Sequence, residues 1–392
     1  MNKKTSSALI FLSFIAFISL GMPDGLLGVA WPGIRKDFNL PLDAIGFLLV
    51  FSTAGYISSS FFSGVLVRRF GIGGLLSLSC AATATALLVY SLTPVWWLFV
   101  LAAALGGLGA GAIDAGINTY VEKNHSERMM QWLHASFGIG ITLGPVIMTL
   151  GISLTTKWQI GYILVCAAQL VLALTFFITR GLWKGVSTIE DEKHHEINEA
   201  SLIETLKKLP ALLSMLMFFL YTGVELGLGL WAYSLLTISR GVDPAIAGFI
   251  TGSYWAMFTF GRILAGWYTK KMTVQKILYV SIFSAITGAL LVALNLGTLV
   301  TIGGIAVFGF SIAPIFPSLV SDTGNRVGIR HVSNTIGMEI SAAGFGAAVV
   351  PSIAGVLARI YSLEIIPYYL LTALVLLLLS FTLSHYKRID HS

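Results

Sequence analysis

Long runs of apolar residues, separated by short polar segments, follow one another along almost the whole chain. A helix of roughly 20 apolar residues is long enough to cross the hydrocarbon core of a bilayer. The runs predict twelve membrane spans, near residues 7–31, 42–66, 72–92, 95–121, 129–152, 157–179, 211–236, 245–269, 275–295, 298–320, 332–358 and 365–385. A longer polar segment divides these spans six and six. We therefore predict an N-terminal bundle over 1–180, a cytoplasmic central loop over 181–210 and a C-terminal bundle over 211–392.

The composition excludes a soluble protein. Hydrophobic residues make up 56% of the chain, charged residues only 11%, and the mean hydropathy is +0.85. A soluble domain carries roughly 25% charged residues on average. We predict an all-α, multi-pass protein of the cell membrane, of the kind found in a bacterial inner membrane, that is a monomer within the lipid bilayer.

The basic residues predict the orientation, because short cytoplasmic loops are rich in lysine and arginine. Lys3, Arg68 and the basic residues that follow the even-numbered spans all fall on one side. Both termini are therefore predicted to be cytoplasmic. This placement also explains the net charge of +6 without a nucleic acid partner. Because Cys80 and Cys166 both lie in apolar spans, neither a disulfide nor a metal site is expected.

The two predicted halves resemble each other in sequence. Asp24 in span 1 and Glu225 in span 7 each precede a glycine by four positions. The segment "GIGITLGP" of span 5 matches "GFGAAVVP" of span 11 in the spacing of glycine and proline. A repeat of six helices plus six is typical of transporters whose two pseudo-symmetric bundles hold the substrate between them near the bilayer midplane.

The segment "GVLVRRFG", residues 64–71, resembles the cytoplasmic motif G-x-L-x-D-R-x-G of the major facilitator superfamily. The glycines and Arg69 match the motif, whereas Arg68 stands where the motif has aspartate. Together with the twelve spans, this resemblance covers essentially the whole chain. It implies the major facilitator fold and secondary active transport.

Five charged residues lie deep inside the predicted spans, away from the span ends, where each costs about 2.5–3.5 kcal/mol on insertion scales. Arg262 in span 8 and Glu339 in span 11 lie at equal predicted depth, about 10 Å from the same membrane surface. Equal depth and opposite charge predict a structural ion pair. Two alternatives stay open: Glu339 takes part in proton coupling, or Arg262 extends alone to the membrane surface.

The other three buried charges are acids: Asp24, Asp114 and Glu225. Asp114 and Asn118 are four residues apart and therefore share one helix face, where they are predicted to bind a polar solute or its proton. Internal pairing of Asp114 is the alternative. Asp24 and Glu225 are candidates for proton coupling, since burial favours the protonated form of a carboxylate. Otherwise they bind substrate, form a gate or pack at a helix crossing.

Aromatic and histidine side chains complete the predicted substrate-binding set. The candidates are Trp132 and His134 in span 5, Tyr254 and Trp255 in span 8, and Phe316 in "SIAPIFPSL" of span 10. The alternatives are that His134 is a hydrogen-bonded interior residue and that the aromatic residues serve in packing or at the membrane interface.

Within the superfamily, the chain is similar to fucose-permease-like sugar–proton symporters. The residues that carry this resemblance are "GAGAIDAGIN" in span 4, "SFG" at 136–138 and "SIAPIFPSL". It implies that Asp114 takes the role of the family's span-4 glutamate in sugar binding and coupling, and Asn118 that of its asparagine. Asp24 lies about one turn before the place of the family's span-1 aspartate. Trp132 stands where the family has glutamine.

The sequence therefore predicts a secondary transporter that carries a small polar solute, such as a sugar, together with a proton by alternating access. Sodium is the second candidate for the coupling ion, and no cofactor is expected. A drug–proton antiporter for lipophilic cations is the nearest alternative. A non-transporting sensor or channel belongs to a different class. An enzyme is not expected, because no catalytic or metal-ligand spacing occurs in the sequence.

Overall fold

A computed structural model describes residues 3–124, 127–185, 200–268 and 271–386. Helices account for nearly all of these ranges. The α-helices are α1 (Lys3–Asp37), α2 (Ile45–Phe61), α3 (Ser63–Leu92), α4 (Trp96–Asn124), α5 (Glu127–Thr155), α6 (Gln159–Thr179), α7 (Leu202–Leu206), α8 (Leu209–Ser234), α9 (Pro244–Tyr268), α10 (Val274–Leu294), α11 (Thr298–Ile312), α12 (Ile315–Val327), α13 (Val332–Ile360) and α14 (Ile365–Tyr386).

Eleven segments of the described chain are long and apolar enough to cross a membrane. They coincide with eleven of the twelve predicted spans, so the protein is an all-α, multi-pass membrane protein. The remaining predicted span, 245–269, is the helix α9, which is not among the eleven. Arg262 and several hydroxyl-bearing residues make α9 less apolar than the others. The twelfth span and the cytoplasmic termini stay predictions.

The chain forms two compact units. Unit 1 comprises Met1–Asp191 with Asp243–Gly252, and unit 2 comprises Glu192–Val242 with Ser253–Ser392. In unit 1, α1 packs against α5, α4 packs against both α2 and α3, and α3 also packs against α6. In unit 2, α8 packs against α13 and α14, and α10 packs against α11 and α14. The predicted bundle boundaries at 180 and 211 stay predictions.

One helix crossing occurs in the same form in each unit. In unit 1, a Cβ atom on Gly140 of α5 would collide with the backbone carbonyl of Ile18 in α1. In unit 2, a Cβ atom on Gly346 of α13 would collide with the backbone carbonyl of Phe219 in α8. Gly140 and Gly346 are the third residues of the two segments that resemble each other in sequence. Glycine is needed at both places because only a residue without a side chain lets the two backbones approach so closely.

The turn between the second and third predicted spans depends on Gly71. Its φ of +68° lies in the left-handed region, which residues with a side chain rarely adopt. The helix from Ser63 therefore stops at this glycine and starts again after it, within α3. The second helix ends at Phe61, before the predicted end of the second span at residue 66. The helix that begins at Ser63 then runs through "VRRF" to Gly71 although its arginines are polar.

The tenth predicted span differs more from the structure. The helix is interrupted after Ile312, and α12 then continues to Val327, beyond the predicted end at residue 320. Asp322 and Arg326, which the sequence analysis assigned to a loop, are both 0% exposed inside unit 2. This additional helical turn brings charged groups into the protein interior and changes the predicted ion pairing.

At the other end of unit 2, Arg240 connects three helices. It follows the π-helical turn Leu235–Ser239 and forms an ion pair with Glu364, 2.6 Å away, at the start of α14. The guanidinium also donates to the hydroxyl of Thr301 and to the carbonyl of Val292, both at 2.8 Å. Hydrogen bonds from Arg240 hold the pKa of Glu364 below its ordinary value.

The close crossing of α8 and α13 makes a prediction for the folded state. Gly346→Ala forces a methyl group against a backbone carbonyl, which cannot move aside. We therefore expect the free energy of unfolding to fall by about 1–3 kcal/mol. Gly337→Ala is the matched control on the same helix, because its Cβ atom would meet open space. The measurement is thermal unfolding of the purified protein in detergent. A melting temperature for Gly346→Ala equal to that of Gly337→Ala would contradict the close crossing.

Candidate functional site

Asp114 of α4 lies at the centre of a polar cluster in unit 1. The Tyr56 hydroxyl of α2 donates a hydrogen bond to Oδ2 of Asp114. The carboxamide of Asn118, one turn further along α4, donates to Oδ1 over 2.9 Å. Both carboxylate oxygens therefore accept a hydrogen bond. The Oδ1 atom of Asn118 is buried and has no hydrogen-bond partner among the described residues, so it remains available as an acceptor.

Small residues bring Tyr56 within reach of Asp114. A Cβ atom on Gly107 of α4 would collide with the carbonyl of Ser52 in α2, and one on Gly111 would collide with the carbonyl of Tyr56 itself. The two backbones therefore touch along this stretch. The tyrosine hydroxyl consequently reaches across the helix interface to the carboxylate one turn further along α4.

Asp24 of α1 adds a second carboxylate to this cluster. It interacts electrostatically with Asp114 and with Tyr56, and it is solvent-accessible whereas Asp114 is half-buried. Two neighbouring carboxylates repel each other when both are ionised, and one bound proton relieves the repulsion. The arrangement can therefore take up a proton and present hydrogen-bond acceptors to a polar solute. We refer to Asp24, Tyr56, Asp114 and Asn118 as the acid cluster.

Unit 2 holds a second polar cluster, built on Glu225 of α8. The hydroxyl of Tyr221, one turn earlier, lies close to both the Glu225 carboxylate and the Arg262 guanidinium of α9, without a hydrogen bond of standard geometry. The Tyr254 hydroxyl donates to the backbone carbonyl of Glu225 over 2.7 Å. Phe316 of α12 packs its half-buried ring against Tyr221, with ring centroids 5.8 Å apart. We call Tyr221, Glu225, Arg262 and Phe316 the mixed cluster.

The sequence model of the Major Facilitator Superfamily matches residues 9–338 of the chain. The chain belongs to this superfamily. The predicted resemblance to it is confirmed. Because its members are transporters, the protein is a membrane transporter and not an enzyme.

Two relatives match this chain along most of their own length. The chain is 21% identical to Bypass of stop codon protein 6 of Saccharomyces cerevisiae, over 95% of this chain and 82% of the relative. It is 22% identical to the glucose/mannose transporter GlcP of Bacillus subtilis, over 86% of this chain and 85% of the relative.

A solved structure has the same fold. It is a bacterial homologue of the human lysosomal transporter Spinster, in an inward-facing and unoccupied conformation. The TM-score is 0.80 at 12% sequence identity, and the match covers 100% of both chains. This likeness supports the major facilitator fold for the transporter described here.

The predicted ion pair between Arg262 and Glu339 is wrong. Glu339 of α13 is 0% exposed and pairs with Arg326 of α12, whose Nη2 atom lies 3.1 Å from its Oε1 atom. Ser214 and Thr323 also donate hydrogen bonds to the Glu339 carboxylate. Equal depth was not sufficient to identify the partner, because depth does not determine which way a side chain faces around its helix.

The other predicted substrate-binding residues have different environments. Trp132 is 58% exposed, and the accessible ring of His134 packs edge-on against Phe17, with centroids 5.8 Å apart. Tyr254 and Trp255 are buried in the packed interior of unit 2, where Trp255 fills the space beside a glycine of α8. Burial of this kind is the environment expected of the packing alternative, and substrate binding by Tyr254 and Trp255 stays a prediction. Substrate binding by Trp132 and His134 stays a prediction.

Tyr56 is the residue of the acid cluster that the sequence analysis missed. It is the one tyrosine of α2, in the stretch "STAGYISSS", surrounded by small and hydroxyl-bearing residues. A polar aromatic residue flanked by small residues on a membrane helix is the sequence signal that could have identified Tyr56. In the described part of the chain, no group of three or more His, Cys, Asp or Glu side chains could hold a metal ion.

The observed pairing of Glu339 makes a second prediction. Arg326→Met leaves the buried carboxylates of Glu339 and Asp322 without the guanidinium that lies 3.1 and 3.6 Å from them. Breaking a buried ion pair in this way costs about 3–5 kcal/mol. Removing both charges, in Arg326→Met/Glu339→Gln, should recover part of that loss. Arg262→Met is the comparison variant: because Arg262 lies near Glu225 and does not pair with Glu339, adding Glu339→Gln to Arg262→Met should recover nothing. The measurement is the yield of monodisperse protein and its melting temperature. If Glu339→Gln recovers the loss caused by Arg262→Met as well as it recovers that of Arg326→Met, the observed pairing is contradicted.

Proposed function

We propose that the protein is a symporter that carries a sugar, a neutral hexose in the first instance, together with a proton by alternating access. The observation that carries this proposal is the acid cluster, in which a membrane-embedded carboxylate has hydrogen-bonding partners and a second carboxylate nearby. Membrane-embedded acids of this kind are characteristic of proton relays and substrate pathways.

The donor and acceptor groups of the acid cluster suit a sugar. Sugar hydroxyls both donate and accept hydrogen bonds, and the cluster offers a carboxylate, a tyrosine hydroxyl and a carboxamide. The Oδ1 atom of Asn118, which has no protein partner among the described residues, is an acceptor for a sugar hydroxyl. The relative from Bacillus subtilis is named a glucose/mannose transporter, which supports the same substrate class.

The coupling proton is proposed to bind between Asp24 and Asp114. With a proton bound, the pair carries one negative charge fewer, which reduces the repulsion and the desolvation penalty of the cluster. Sugar hydroxyls then replace part of the water around Asp24. Proton and sugar therefore favour each other's binding, and an inward proton gradient drives sugar accumulation. The carrier exposes the loaded cluster to one side of the membrane at a time.

Substitution of Asp114 tests this proposal. Asp114→Asn keeps the size of the side chain but cannot take up a proton, so we expect concentrative uptake to fall to the level of liposomes without protein. The measurement is accumulation of labelled glucose in proteoliposomes under an imposed inward proton gradient. Asp37→Asn is the matched control: it makes the same chemical change at the end of α1, outside the acid cluster, and keeps an oxygen to accept from Trp158.

Three outcomes would count against the proposal. Full proton-driven uptake by Asp114→Asn would remove this carboxylate from the coupling mechanism. Uptake driven by a sodium gradient and insensitive to the proton gradient would show that the coupling ion is sodium and not a proton. Movement of cationic dyes against the proton gradient, with sugars inert, would favour a drug–proton antiporter.

A further inference from the structure

Arg262 has a negatively charged neighbour within unit 2, and that neighbour is Glu225. The Tyr221 hydroxyl lies close to both the carboxylate and the guanidinium, so the two charged groups approach the same hydroxyl group. Arg262 and Glu225 also interact electrostatically. Both side chains are half-buried, so the pair is partly accessible.

The Arg262 guanidinium is held in place by its own unit. It lies over the ring of Phe258, 4.4 Å from the ring centroid, and its Nε atom donates to the carbonyl of Ala313 over 3.4 Å. These contacts fix one edge and one face of the group. A guanidinium held in this way is preorganised to donate two parallel hydrogen bonds to a planar carboxylate, unless another negative charge already compensates it.

We propose that Glu225 determines substrate charge selectivity: by compensating Arg262, it makes the mixed cluster accept neutral sugars and reject sugar acids. This inference rests on the proposed function, since it names the class of sugar that the carrier takes. A neutral sugar can donate a hydroxyl hydrogen to Glu225 and accept from Arg262, and Phe316 offers a partly exposed apolar ring to the C–H face of the sugar. The carboxylate of a sugar acid is repelled by Glu225 and finds the guanidinium already compensated.

The charge of the ligand that the mixed cluster prefers should depend on which of its two charges is removed. Glu225→Gln leaves Arg262 uncompensated, and the mixed cluster then attracts a carboxylate. Arg262→Gln leaves Glu225 uncompensated, and the mixed cluster then attracts an ammonium group. Specificity of this kind is a difference between two affinities and is often set by the repulsive element.

Binding assays on the purified full-length protein test the inference. The probes are glucose, glucuronate and glucosamine, which are neutral, anionic and cationic forms of one sugar framework, and the readout is Kd from ligand-induced thermal stabilisation. For Glu225→Gln we expect the ratio of glucuronate to glucose affinity to rise by about tenfold or more over wild type. For Glu225→Asp, which keeps the charge, the ratio should stay close to that of wild type. For Arg262→Gln the ratio of glucosamine to glucose affinity should rise instead.

The outcomes separate this inference from the proposed function. Wild-type protein that binds glucose, together with unchanged ratios in both glutamine variants, overturns the charge selectivity and leaves the proposed function standing. Wild-type protein that binds no neutral sugar overturns the proposed function itself. If Glu225→Gln does not fold, Arg262→Gln decides the inference alone, because the same charge compensation predicts its opposite shift.

Discussion

An ionised side chain in a membrane helix is stable only where other groups of the protein compensate its charge or its lost hydration, and the structure of this transporter depends on that constraint. Asp114 has a hydrogen bond to each carboxylate oxygen, from a neighbouring helix and from its own. Glu339 is buried with a guanidinium and two hydroxyl donors. All of these contacts except that from Asn118 also join two helices, so the compensation of charge stabilises the packing of each unit.

Close helix packing makes this compensation geometrically feasible. The glycines of α4 let α2 approach until backbone meets backbone, which is why the Tyr56 hydroxyl reaches Asp114. The α1–α5 and α8–α13 crossings repeat one such contact in both units. The polar clusters do not repeat. Among the described residues, the acid cluster of unit 1 has two acids and no basic residue, whereas the mixed cluster of unit 2 places Glu225 near Arg262. This difference in charge is the physical basis for proposing proton coupling in unit 1 and charge selectivity in unit 2.

Hydropathy predicted nearly all of the helices, because the length of an apolar run is set directly by the thickness of the bilayer. It also identified the acids of both clusters, since a charge within an apolar run is conspicuous. It failed where a helix continued through polar residues: Arg326 was assigned to a loop because the apolar run ends before α12 does. It could not identify partners either. Depth along two helices is readable from sequence, but their rotation is set by packing, and so Glu339 was paired with the wrong arginine.

The proposed transport mechanism requires that a sugar and a proton enter together. The decisive measurement is the pH of a lightly buffered suspension of proteoliposomes, recorded with a glass electrode after addition of glucose in the absence of sodium. We expect alkalinisation of the medium that begins with sugar entry and disappears when a protonophore is present. Glucose entry with no change in external pH would contradict it.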